Sequence, residues 1–219
     1  MIIISITHSK GGTGKSTLAY QLVGMLNKLK KNYLAIDCDT DNRTISTINE
    51  YIRKETPLNI KLATSSMMLQ QQLDDAYKNH IEIVIIDTGG NSNEITRTAL
   101  KQADKIITPI SHDSVTEAVG FTRFKSVLNM VNNPKVFVSF TNINTRTTNF
   151  MNITNILKTY NNLEIMKYGL KTRNIYKRSI AQGLSVYELP KTKNKAINEQ
   201  LRKAKAELKN FYNEMIIQE

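Results

Sequence analysis

Between Thr7 and Thr17 the sequence reads Thr-His-Ser-Lys-Gly-Gly-Thr-Gly-Lys-Ser-Thr, set between an apolar run, Ile2 to Thr7, and a helix-forming stretch, Leu18 to Lys31. Glycines let successive backbone N–H groups turn toward one anion, and a helix start adds its positive dipole end. Gly11, Gly12 and Gly14 suit that turn, with Thr13 and Thr17 completing the loop. Lys15 is expected to neutralise β- and γ-phosphate charge, and Ser16 to place a hydroxyl on Mg²⁺. The strict G-x-x-x-x-G-K-[ST] pattern is broken at its first glycine, where Ser9 stands. A second lysine, Lys10, precedes the double glycine, although one lysine suffices for a generic phosphate loop.

Two acidic groups fit the same chemistry. Ala35-Ile-Asp-Cys-Asp-Thr-Asp41 ends a second apolar run, with Asp37 and Asp39 two apart so that an extended segment puts them on one side. An aspartate near a γ-phosphate orients the attacking water or holds Mg²⁺ through water. The run Ile81 to Ile86 ends in Asp87-Thr-Gly-Gly90, where Asp87 is expected to hold a Mg²⁺ water, and Gly89 and Gly90 to approach or release the γ-phosphate. His112, a lone loop histidine, is assigned no role.

The elements that must position these residues follow from the apolar pattern. Runs at Ile2 to Thr7, Tyr33 to Asp37, Ile60 to Thr64, Ile81 to Asp87, Lys105 to Ile110, Val136 to Thr141 and Leu163 to Met166 alternate with helical stretches. Ile83-Val84-Ile85-Ile86 is continuously apolar, as a strand buried on both faces requires. The expected fold is α/β, a P-loop NTPase with a mostly parallel, twisted sheet covered by helices on both faces, its functional loops at the strands' C-terminal ends. No linker or repeat interrupts it, so residues 1–219 read as one domain. From Asn194 onward, Ile197, Leu201, Ala204, Leu208, Phe211 and Met215 form a single apolar stripe whose expected role is docking on the sheet.

Composition removes other classes. A chain of 219 residues, 40% hydrophobic, supports a real core and argues against disorder. With one cysteine, Cys38, and three histidines, neither an internal disulfide nor a cysteine-based zinc or iron–sulfur centre can be built within one chain. No signal-peptide pattern or run of ~20 apolar residues is present, so a cytoplasmic location is expected. The formal charge is +11, and +7 of it falls in residues 151–219. Such an excess favours a polyanion.

Lys10-Gly-Gly-Thr-Gly-Lys15-Ser-Thr17 resembles the deviant Walker A motif of the ParA/MinD family of ATPases. The resemblance runs on to Gly183-Leu-Ser-Val-Tyr-Glu188, similar to the family's G-x-S-V-[FY]-E stretch, and is closest to short plasmid-partition ParA proteins that begin at the first strand without a DNA-binding domain before it. It implies that Lys10 reaches the phosphates of the other subunit in an ATP-sandwiched homodimer. It implies that Asp39, matching the second Asp of a D-x-D-P-Q stretch, serves hydrolysis, with Thr40 and Asp41 departing from the family's Pro and Gln. Asn142 or Asn144 would contact adenine. The implied function is a nucleoid-associated partition ATPase that binds nonspecific DNA, with a separately encoded ParB-like or other centromere-binding partner stimulating slow hydrolysis.

Independently, Lys171, Arg173, Lys177 and Arg178 form a basic cluster suited to sequence-independent phosphate contact, with Lys191, Lys193, Lys195, Arg202, Lys203 and Lys205 downstream. The alternative is a MinD-like membrane-surface ATPase, which needs a free basic amphipathic helix at the end; here the terminal stripe keeps the core-facing register and the chain closes Ile-Ile-Gln-Glu219. A nitrogenase-type reductase needs cysteines this chain lacks, and Lys10 argues against a small-molecule kinase or ligase.

Overall fold

Strands β2 (Tyr33–Cys38) and β4 (Ile83–Thr88) are buried along their whole length, as their unbroken apolar character demands. In the computed structural model they lie inside one seven-stranded sheet with β1 (Ile2–Ile6), β3 (Ile60–Leu62), β5 (Lys105–Ser111), β6 (Val136–Thr141) and β7 (Leu163–Ile165). All residues are described except 92, 112–113, 132–135, 145–150, 159, 161–162 and 218–219. The strand order is β3-β2-β4-β1-β5-β6-β7 and every pairing is parallel. The expected strands are all present, shifted by one or two residues at several ends. Ile81, for example, lies outside β4 and donates its N–H to Ala76 O at the end of the preceding helix.

Successive strand residues feed opposite faces. Ile83 and Ile85 pack with one core, Val84 and Ile86 with the other. The first core is closed by α1 (Lys15–Lys28), α2 (Thr44–Thr47), α7 (Asn174–Ala181) and α8 (Lys195–Ile217). The second is closed by α3 (Ser66–Lys78), α4 (Glu94–Gln102), α5 (Val115–Val131) and α6 (Met151–Lys158). A π-helical turn, Ile48–Ile52, extends α2.

Helix α1 is buried without interruption from Leu18 to Leu26, so it is apolar all round rather than amphipathic. Its two polar positions in that stretch are satisfied internally. Tyr20 Oη donates to Gly183 O at 2.7 Å, while Gln21 donates to Ser179 Oγ at 2.9 Å and accepts from Val186 N at 2.8 Å. Gly24 is needed here, because a methyl group on it would lie 2.5 Å from Ser185 Cβ. The Gly183–Glu188 segment therefore seats directly on α1.

Helix α8 docks as its stripe predicts: Leu201, Ala204, Leu208, Phe211 and Met215 are all in the core. Truncating a fully buried phenylalanine such as Phe211 costs about 3–5 kcal/mol. The Lys105 ammonium donates to Met215 O at 3.0 Å, satisfying a carbonyl of the last turns of α8. Gln218 and Glu219 lie outside the described residues.

Candidate nucleotide-binding site

The C-terminal ends of β1, β2 and β4 converge, which brings the glycine loop, Asp39 and Asp87 together. Gly12 and Gly14 take φ of +80° and +94°, a left-handed conformation that turns the chain into α1 at Lys15. Lys15 is buried and its ammonium donates to Lys10 O at 3.1 Å, closing the loop on itself. Burial lowers its pKa, against the opposing pull of the Asp87, Asp39 and Glu117 carboxylates. Gly90 packs against this loop: a methyl there would be 3.5 Å from Gly11 N.

Asp87 is fully buried, and neither carboxylate oxygen makes a hydrogen bond of normal geometry among the described residues. Its pKa is pushed up to about 8, first by burial and next by the Asp37 carboxylate, with Ser16 and Lys15 offsetting part of the rise. A buried acid with neither oxygen in a hydrogen bond of normal geometry fits a site completed by a cation and its waters. No three His, Cys, Asp or Glu side chains among the described residues could hold a metal by themselves.

Asp37 differs. Its oxygens accept the N–H groups of Asp39 at 3.1 Å and Ser46 at 2.9 Å, and burial raises its pKa. Asp37, expected to contact Mg²⁺, has both oxygens already engaged in holding the loop after β2, whereas neither oxygen of Asp87 is engaged in this way. Asp39 is held by Asn42, whose N–H lies 3.0 Å from Oδ1 and whose side-chain amide lies 3.0 Å from Oδ2. Asp41, in place of the family's Gln, accepts from Asn91 Nδ2 at 2.9 Å, tying this loop to the one after β4. Neither Asn42 nor Asn91 stood out in the sequence, since a turn asparagine in an Asn-rich chain carries no signal of its partner.

Lys10 is exposed at the rim, and its ammonium donates to Thr116 Oγ1 at 2.9 Å in the first turn of α5. Its backbone N–H donates to Nδ1 of His8 at 2.9 Å. His8 is buried and its pKa is lowered to about 4, chiefly by burial and then by the Lys15 charge, so the imidazole is neutral and able to accept. Among the core-lining residues of α5, Glu117 accepts from Ser111 N. His112 lies outside the described residues.

A cleft of about 170 Å³ opens beside the loop, lined by Gly12, Gly14, Thr17 and Asn142 on one side and by Lys171, Arg173 and Lys177 on the other. Asn142 has φ +50° and donates to Ser111 Oγ at 3.1 Å; Asn144 does not line the cleft. The expected DNA-facing cluster is thus divided. Lys171 and Lys177 border the nucleotide cleft, and Arg178 is exposed on α7. Arg173, at the N-cap of α7, is bound to Glu207 of α8 by Nη2 at 2.5 Å and Nε at 3.0 Å, which neutralises its charge.

Residues 4–186 match the model of the CobQ/CobB/MinD/ParA nucleotide binding domain. No curated protein sequence matches the chain. Among solved structures, apo McdA of Cyanothece is 17% identical with a TM-score of 0.67, covering 95% of this chain and 99% of that one. MinD of Aquifex aeolicus is 19% identical with a TM-score of 0.66, covering 94% and 98%. A plasmid partition protein of Borrelia burgdorferi B31 bound to AMPPNP is 20% identical with a TM-score of 0.64, covering 97% and 98%. At these identities the structures share the fold, while the match over most of the chain carries the family: this protein belongs to the CobQ/CobB/MinD/ParA family of nucleotide-binding domains.

Proposed function

We propose that this protein is an ATP-dependent dimerising switch that binds nonspecific DNA and uses slow, Mg²⁺-dependent ATP hydrolysis to segregate or position plasmid or chromosomal DNA. The observation that carries the reading is the placement of the two lysines. Lys15 is buried inside the loop, whereas Lys10 stands exposed at its rim beside Thr116, with Val115 and Val119 of α5 50% and 53% exposed next to it. A charged group and apolar side chains together at the mouth of a phosphate site suit contact with a second copy of the chain.

In this reading the loop from Lys10 to Thr17 binds ATP, and the cleft toward Asn142 takes the nucleoside. Ser16 and Asp87 hold Mg²⁺, which screens the phosphate charge when bound. Asp39 orients the attacking water from a loop fixed by Asp37 and Asn42, and Lys10 adds positive charge from the partner copy. A separately encoded DNA-bound protein accelerates turnover, and the location is the nucleoid.

The MinD-like alternative requires a terminal helix free to enter lipid. Here the stripe of α8 from Leu201 to Met215 is buried against the core. Binding to nonspecific DNA, measured against salt with ADP, ATP and no nucleotide, tests the proposal. ATP-dependent binding with a steep salt slope supports it. Retention only on anionic liposomes would sink it.

A further inference from the structure

Subtracting the paired charges from the basic C-terminal region leaves a patch that the sequence could not assemble. Arg173 is paired with Glu207 and Arg53 with Glu188, while Arg202 and Lys203 share one exposed acid, Glu199. Lys171 and Lys177 border the nucleotide cleft. Of the remaining cations, three come together from distant parts of the chain: Lys28 in the last turn of α1, Lys191 in the segment before α8, and Lys205 on α8.

Their juxtaposition is fixed by the segment packed on α1. Asn27, beside Lys28, donates to Glu188 Oε1 at 3.4 Å. Tyr187 Oη donates to Lys205 O at 3.3 Å, and the Lys205 ammonium lies 6.0 Å from the centre of the Tyr187 ring. Lys191 follows three residues after Glu188. Lys28 and Lys191 are exposed, and none of the three lysines pairs with an acid among the described residues. The Lys205 pKa is lowered chiefly by burial and then by the Lys28 and Lys191 charges, which places the three ammonium groups within electrostatic reach of one another. Such crowding costs stability unless an anion meets it.

We propose that Lys28, Lys191 and Lys205 form the surface that binds the DNA phosphate backbone, an inference that rests on the DNA-binding reading above. Helix α1 is 14 residues long, so about 20 Å of helix separates this patch from the phosphate loop. DNA phosphates and ATP phosphates therefore do not compete for the same cations, as they would at Lys171 and Lys177. An ATP-linked dimer carries two such patches, which makes the salt slope of DNA binding depend on nucleotide. A lipid surface is the less suited polyanion, because the apolar stripe of α8 beside Lys205 is buried.

The test is binding of the full chain, with Mg²⁺ and ATP, to a nonspecific DNA duplex across a salt series. Each phosphate contact adds about 0.9 to the slope of log affinity against log salt. The triple variant Lys28→Gln, Lys191→Gln, Lys205→Gln should lose about 2.7 of slope for each protomer engaged. Its ATP affinity should be unchanged and its melting temperature at low salt equal or higher, since repulsion is relieved. Lys203→Gln, which leaves Arg202 paired with Glu199, should change the slope by less than one contact. If the triple variant is unstable, Lys28→Gln with Lys191→Gln, both exposed, should still lose about 1.8 per protomer. Wild-type DNA binding with an unchanged slope in these variants would overturn the patch and leave the DNA reading standing. No DNA binding by the wild type, or binding only to phosphatidylserine vesicles, would overturn both.

Discussion

Asp37 and Asp87 are register partners on adjacent parallel strands, two fully buried carboxylates side by side at the floor of the phosphate site. Burial raises the pKa of both, but only Asp37 has backbone N–H groups to offset it. Without nucleotide, Asp87 is thus a stored cost. Replacing Asp87 by Asn should stabilise the nucleotide-free protein by roughly 1–3 kcal/mol at pH 7 and remove the added stabilisation by Mg²⁺ and ATP. Thermal unfolding with and without Mg²⁺ and ATP checks both effects; a variant less stable than wild type in the nucleotide-free state contradicts the account.

His8 supplies a pH dependence of definite sign. Its folded pKa, about 4, lies below its ordinary value of 6.5, so the unfolded chain binds the extra proton between those limits. The stabilisation is fully present above about pH 6.5 and is lost as pH falls toward 4, a total of about 3 kcal/mol. Denaturant unfolding of wild type and His8→Asn should show the difference between them moving against wild type over this window. Parallel pH profiles would exclude His8 as the source.

Lys15→Ala should abolish nucleotide binding, whereas Asp39→Ala should keep ATP binding and dimerisation but slow hydrolysis by at least tenfold, about 1.4 kcal/mol of barrier. Equal turnover in wild type and Asp39→Ala refutes the role assigned to Asp39.

Arg53 reaches the GLSVYE segment through Glu188, at 2.8 and 2.7 Å, and through Gly183 O at 3.2 Å. Arg53→Ala strands a buried carboxylate and should cost about 3–5 kcal/mol. For a chain of this length that lowers the melting temperature by on the order of 10 °C. A loss under 1 kcal/mol would mean the pair is not closed in solution.

Arg173→Ala should likewise destabilise the fold by removing the partner of Glu207, while leaving the salt slope of DNA binding unchanged. A fall in slope of about one contact, with no loss of stability, would return Arg173 to the DNA surface.

What was legible in the sequence was local. Ile83 to Ile86 announces a buried strand, and Gly-Gly-Thr-Gly-Lys15 announces a phosphate turn, because each pattern lies within a few residues of chain. Glu188 and Arg53 are 135 positions apart, so neither carries a mark of the other. The pairing of Arg173 with Glu207 was hidden for a related reason: the spacing of basic residues shows which cations are near one another in sequence but not which acid of another helix meets them. Asp37 and Asp39 stand two residues apart at the end of one apolar run, and nothing in that spacing shows the turn that brings the Ser46 N–H back to Asp37.

The uninterrupted burial of α1 has a mechanical consequence. A rod gripped on every side, with Tyr20 and Gln21 latched to the neighbouring segment, has no free face into which to bow. From Leu18 to Leu26 this helix and the Gly183–Glu188 segment are held as one packed body, so loosening either by substitution at Tyr20 or Gln21 loosens both.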